Sequence, residues 1–131
     1  MFGSDAFNYI NVLDKAADAS WTRETILSNN IANVDTPDYK RQDVDFESVL
    51  KEEIGRCKHD SLDSKIRSIN TDLSDLNVTV YTDYAGYSYR EDGNNVDIDT
   101  ENVELASEQI KYQALTSSID SLFDRMEAVI K

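Results

Sequence analysis

The sequence predicts a mainly α protein. Long N- and C-terminal helices pair as a coiled-coil hairpin or bundle, around a small irregular middle region with room for a short β-hairpin. Three observations carry this. Apolar residues recur at alternating three- and four-residue spacing near both ends of the chain. Helix breakers are sparse, with four glycines and one proline, Pro37. A C-terminal helix of about 31 residues would run ~46 Å at 1.5 Å per residue, too long for a compact chain of this size, whose radius of gyration would be ~14 Å. The 131 residues therefore suit a single elongated unit. Residues 1–35 and 100–131 form its terminal helices and residues 36–99 its middle.

The first helix is expected from about Asp5 to Asn33, with Asp5 as N-cap. Its seam is Ile10, Leu13, Ala17, Ser20, Leu27, Ile31 and Val34, interrupted at Glu24. Ala17 and Ser20 are small enough for a partner backbone to come close. Glu24 is costly in such a seam unless it is paired. An amphipathic helix in an ordinary bundle would show the same period.

The middle region begins with "DVDFESVLKEEIG", expected as a short helix from Asp43 to Gly55. Asp45 would cap it, Val44 and Val49 would staple it, and Gly55 would end it. "SLDSKIRSINTDLSDL" places Leu62, Ile66, Ile69, Leu73 and Leu76 at helical spacing but is crowded with Ser, Asn and Asp, so helix and loop both stay open. "VTVY" and "YSYR" flank "TDYAG" as a hairpin would. Four of the seven tyrosines, Tyr81, Tyr84, Tyr87 and Tyr89, fall here. They are either sheet packing or interface anchors.

The last helix is expected from about Thr100 to Lys131, with the seam Leu105, Glu108, Tyr112, Leu115, Ile119, Leu122, Met126 and Val129. Asp99 would cap it, Ile98 and Val103 would staple it, and Glu101 and Glu104 would favour the positive end of its dipole. The stretch before it, "REDGNNVDIDTE", is rich in oxygen ligands suited to calcium. Counted from Asp92, however, the fifth position of an EF-hand loop is Val96 and the glycine position is Asp97. The expected structure is a turn at Asp92-Gly93-Asn94, an extended "VDID" and a capped helix.

Composition excludes most chemistry. There are 26 acidic and 13 basic residues, a formal charge of −13, which repels phosphate backbones and anionic lipid. Lys40-Arg41 is too small a basic patch for nucleic acid. One cysteine, Cys57, and one histidine, His59, exclude an intramolecular disulfide and a zinc site of the usual ligand count. "GRCKHD" lacks the glycine-rich elbow and the apolar strand of an activated nucleophile. No Gly-rich phosphate loop occurs, and no carboxylate pair sits in an apolar pocket. The reading is therefore no enzyme, no cofactor, and no catalytic or metal site. "MFGSDAFNYINV" does not resemble a cleavable secretory signal, and no apolar run approaches the ~20 residues of a membrane span.

The most specified stretch is "SNNIANVDTPDYKR", residues 28–41, which holds Asn29, Asn30, Asn33 and Pro37. Asparagine is poor inside helices, but at a C-terminus it tolerates the left-handed conformation, and its amide can satisfy exposed carbonyls. Proline disfavours helix at the residue before it. The expected structure is a helix exit pinned by hydrogen bonds, to a neighbouring helix or a neighbouring chain.

With Tyr39 and Lys40, this stretch resembles the N-terminal signature N-I-A-N-x-x-T-P-x-Y of bacterial flagellar axial proteins, the rod, hook and hook-associated subunits. "DGNNVDIDTENVELASEQIKYQALTSSIDSLF" is similar to the C-terminal end of the proximal branch of the flagellar basal body rod proteins. The likeness covers about residues 20–46 and 90–131. It implies a structural subunit of the rod in the periplasm, delivered by the flagellar type III export apparatus without a cleaved Sec signal. Its partners would be other copies of itself, other rod proteins, and the basal-body and export-gate components at the rod base, with no nucleic acid and no direct membrane insertion. The residues expected to carry assembly are Ile10, Leu13, Leu27, Asn30, Ile31, Asn33, Pro37, Tyr39, Tyr112, Leu115, Ile119, Leu122 and Met126. A rival reading is a helical-hairpin adaptor that binds one partner helix without polymerising. Both would show two apolar seams.

Overall fold

A computed structural model describes residues 2–58, 60–84 and 90–131, with side chains from Asp5 onward. The elements are α1 (Phe2–Ala32), β1 (Gln42–Val44), α2 (Glu47–Arg56), α3 (Leu62–Ile69), a 3-10 turn (Leu73–Leu76), β2 (Val80–Thr82) and α4 (Ile98–Ile130). The chain is mainly helical, with the expected long helix at each end. It divides into two compact units, and both long helices contribute to each. Unit 1 comprises Met1–Asp18, Phe46–Asn77 and Gln113–Lys131, and unit 2 comprises Ala19–Asp45 and Val78–Tyr112.

In unit 1 the buried apolar residues are Ile10, Val12, Ala17, Phe46, Ile66, Ile69 and Leu76. "SLDSKIRSI" is helical because Ser61 caps α3, accepting from the Ser64 N–H at 3.2 Å, and because Ile66 and Ile69 have a core to enter. Asp72 caps the 3-10 turn in the same way, accepting from the Ser74 N–H at 2.9 Å. Polar ties fix α3 and its C-terminal turn on the start of α1. Tyr9 donates to Asp63 at 2.5 Å, Arg67 to Asp5 at 2.8 Å, and the Asn70 amide to the Asn8 carbonyl at 3.0 Å.

Unit 2 holds the small sheet. β1 and β2 are antiparallel, with Gln42 opposite Thr82, Asp43 opposite Tyr81 and Val44 opposite Val80. The middle region thus contains a short antiparallel pair, but among the described residues Val80–Thr82 pairs with Gln42–Val44, upstream of it in the chain. The expected return strand "YSYR" falls mostly on 87–89, outside the described residues, as does His59.

Several expected boundaries shift. α1 begins at Phe2, so Asp5 lies in its first turn and pairs with Arg67. The stretch from Asp43 is strand before helix: Asp43 and Val44 pair with β2, and Phe46 occupies the N-cap position of α2 without a side-chain cap. Gly55 lies inside α2, whose C-cap is Cys57. Asp97, not Asp99, caps α4, accepting from the Asp99 and Thr100 N–H groups at 3.1 and 3.4 Å. Ile98 and Val103 are exposed and make no buried staple. At α4 an earlier side chain, Asp97, reaches the amides, and periodicity alone does not register that.

Candidate assembly site

The seam of α1 is wider than a two-position stripe. Besides Ile10, Ala17, Ser20 and Leu27 it buries Val12, Ala19 and Ile26, a second row at seven-residue spacing. Glu24 remains half-exposed and solvated. Along α4 the 4,3 spacing holds from Glu101 to Met126, yet its two fully buried residues are carboxylates, Glu101 and Glu108. Buried charges need partners, and unit 2 supplies them.

Arg23 of α1 donates from Nε to Asp43 at 2.8 Å, and from its terminal nitrogens to Glu108 at 2.8 Å and Glu104 at 2.9 Å. Arg41, just before β1, donates to Glu101 at 2.5 Å, Asp43 at 3.1 Å and Asp83 at 3.4 Å. Each guanidinium therefore spreads its fork over three carboxylates, which a lysine ammonium could not reproduce. Glu108 Oε1 makes no hydrogen bond, and the Lys111 ammonium faces it at 3.6 Å. The charges reinforce one another. The hydrogen bond to Asp43 raises the Arg23 pKa against the opposing effect of burial, with Glu108 adding to it. Burial would lower the Arg41 pKa, but Glu101 and Asp43 reverse the direction. Burial would also raise Asp43, but Arg23, the Val44 N–H and Arg41 together hold its carboxyl below the usual range.

Asn30 sits fully buried beside this network. Its amide donates to the Gln42 carbonyl at 2.7 Å and to Glu101 at 3.0 Å, while its Oδ1 accepts from the Gln42 N–H at 3.0 Å and from the Tyr39 hydroxyl at 3.1 Å. All four positions of the side-chain amide are used. Burial, with the neighbouring Glu101 charge, raises the Tyr39 pKa and keeps the phenol a donor.

Between Asn30 and Gln42 the chain reverses. Thr36 to Tyr39 form a turn closed by the Tyr39 N–H to the Thr36 carbonyl at 3.3 Å. Pro37 stands second and Asp38, at φ 59°, third, the pattern of a type II turn. The left-handed residue is thus Asp38 and not one of the asparagines. Asn33 acts within the exit, its amide reaching the Asn29 carbonyl at 2.8 Å.

The second loop, Asp92 to Asn95, clasps the first. It turns at Gly93, whose φ is 79°, as expected for Asp92-Gly93-Asn94. The Asp38 N–H donates to the Asp92 carbonyl at 2.8 Å, and the Lys40 ammonium reaches the Gly93 carbonyl. The buried Asn94 amide bridges the Asn33 and Thr36 carbonyls at 2.9 Å each. The Asn95 side chain accepts from the Arg41 N–H at 2.7 Å and donates to the Asp83 carbonyl at 2.7 Å.

Of the residues expected to carry assembly, Ile10, Leu27 and Asn30 are buried and Pro37 is exposed; the others are half-exposed. Leu27, Asn30, Ile31, Asn33, Pro37, Tyr39 and Tyr112 come together in unit 2. Ile10, Leu13, Leu115, Ile119, Leu122 and Met126 come together in unit 1. Sequence reasoning missed Arg23, Arg41, Asn94, Asn95 and Glu101 as parts of the exit. The signal for Asn94 and Asn95 was present, since a loop that is not a calcium loop has little other need for two adjacent amides.

What these residues build is a structural device: a helix end, a turn and a second helix start clamped by amides and guanidiniums. Residues 11–40 match the family model described as "Flagella basal body rod protein". The chain is 34% identical over 121 residues to the flagellar basal body rod protein FlgB of Bacillus subtilis (strain 168), covering 92% of each. It is 34% identical over 134 residues to FlgB of Borrelia hermsii, covering 96% of this chain and 93% of that one. To FlgB of Escherichia coli (strain K12) it is 31% identical over 116 residues, 83% of each. The chain belongs to the FlgB family of flagellar basal body rod proteins. It is a structural component of the rod and not an enzyme.

Proposed function

We propose that the chain is a self-assembling subunit of the rod, which packs against copies of itself and other rod proteins to build the drive shaft. The observation that supports this is the clamp at the exit of α1. Asn30 consumes its full hydrogen-bonding capacity on Gln42, Tyr39 and Glu101, so the direction in which the chain leaves the helix is set within each subunit. A repeating assembly needs that direction to be the same in every copy. Leu115, Ile119, Leu122 and Met126 remain half-exposed along α4 of unit 1, and they keep apolar surface for a neighbour. Delivery through the flagellar type III apparatus without a cleaved signal, and contact with export-gate components at the rod base, belong to the same proposal.

The test is swimming and basal-body composition in a motile strain that carries only the variant chain. Ile31→Asp and Leu115→Asp should each abolish motility and leave basal bodies without a complete rod. Normal swimming with either change would refute the assembly reading.

A further inference from the structure

Past the exposed Asp99 of its first turn, the long helix α4 of unit 2 has its polarity reversed. Ordinary surface helices turn charge outward and bury apolar residues. From Glu101 to Tyr112, the charged residues Glu101, Glu104, Glu108 and Lys111 are buried or half-buried. The exposed residues are Asn102, Val103, Ala106, Ser107, Gln109 and Ile110, none of them charged. At about 100° per residue this neutral face covers roughly 160° of the helix. Val103 and Ile110, seven residues apart, are each 69% exposed and form an apolar ridge along it. Such a face stands out in a chain whose residues are 30% charged.

We propose that this face is a docking surface for a second copy of the same chain. The occupant follows from charge. Each copy carries a formal −13, and juxtaposed like charges are costly at an interface. Two such chains approach with least repulsion where neither presents charge, and the outward face of α4 from Asn102 to Ile110, which begins one turn past the exposed Asp99, is such a surface. The apolar ridge supplies the area to be buried, and the two arginines hold Glu101 and Glu108 inward, while Glu104 pairs with Arg23 beside the face. This rests on the assembly reading and sharpens it, because it places a contact between copies on the neutral face of unit 2, in addition to the half-exposed apolar surface of unit 1.

The experiment uses thiol mapping in a Cys57→Ser background, with Val103→Cys or Ile110→Cys introduced singly. Both thiols should react fully with a maleimide in the purified chain and at least tenfold more slowly in purified basal bodies. A bis-maleimide should link them into a product of twice the chain's mass. Unchanged reactivity in basal bodies that contain the chain would overturn the proposal while leaving rod assembly intact. So would a cross-link formed only to a different protein. Absence of the chain from basal bodies would overturn the rod reading and this inference together. A further variant, Ala106→Glu, should retain the helical content of the purified chain yet fail to enter the rod. Its normal incorporation would also overturn the proposal.

Discussion

The side-chain amide of Asn30 pairs with both backbone groups of Gln42, donating to its carbonyl at 2.7 Å and accepting from its N–H at 3.0 Å. Gln42 uses its other flank to pair with Thr82 in the sheet. One asparagine therefore acts as an extra strand for β1, presented from the last turns of α1. The helix end and the sheet edge are joined at this point.

Replacing Asn30 tests the joint. Asn30→Ala removes both hydrogen bonds to the Gln42 backbone, each worth roughly 0.5–1.5 kcal/mol. Asn30→Asp keeps the shape but puts a second carboxylate where the amide met Glu101 at 3.0 Å. Thermal unfolding should therefore rank wild type above both variants at pH 7. Wild-type stability in either variant would contradict the geometry.

Arg41 contacts Glu101, Asp43 and Asp83 through three different nitrogens. Arg41→Met would strand the buried Glu101 carboxylate, at a cost of about 3–5 kcal/mol. Arg41→Lys should recover only part of this, because an ammonium cannot reproduce the planar fork. Chemical denaturation of the two variants checks the order. Equal stability of Arg41→Lys and wild type would show that the fork is dispensable.

The depressed pKa of Asp43 gives a pH dependence of definite sign. Its folded-state value lies below its ordinary one, about 3.9 in an unfolded chain. The folded state therefore binds fewer protons than the unfolded state in that window. The stabilisation is fully present above pH ~4 and is lost as the pH falls through the folded value. Wild type should lose melting temperature steeply below about pH 4. Asp43→Asn, less stable at neutral pH, should lose less over the same range, and parallel curves would exclude this assignment.

Gly93 is held at φ 79°, and a Cβ there would stand 2.5 Å from Asp38 Oδ1. Gly93→Ala should destabilise by about 1–2 kcal/mol from the left-handed conformation alone, with a further loss from the clash. Adding Asp38→Gly removes that oxygen without straining the left-handed backbone at 38, and measured against Asp38→Gly alone it should return only the clash component. Unfolding of the single and double variants separates the two. Full recovery in the double variant would mean that backbone strain contributes nothing.

The two long helices were legible because period and breaker placement are local properties. Seam spacing along α4 and the stop before Pro37 hold in the structure within a few residues. The turn at Asp92-Gly93-Asn94 was legible for the same reason, since only glycine takes a φ of 79° without steric cost. The exit was recognisable as over-specified before its contacts were known, because three asparagines near a helix end exceed what a helix stop requires.

The partners were not legible. Nothing local to Asn30 names Gln42 or Glu101, and nothing in "VTVY" says that it pairs with Gln42–Val44. The inward turn of Glu101 and Glu108 runs against their type. It is decided by Arg23 and Arg41, which lie 60 or more positions away in sequence. By itself, the sequence determined the two long terminal helices and the stop of the first before Pro37, which depend on neighbours within a few turns. The tertiary structure alone decided which amides, guanidiniums and carboxylates meet, because a buried charge or amide is stable only where distant segments bring it a partner.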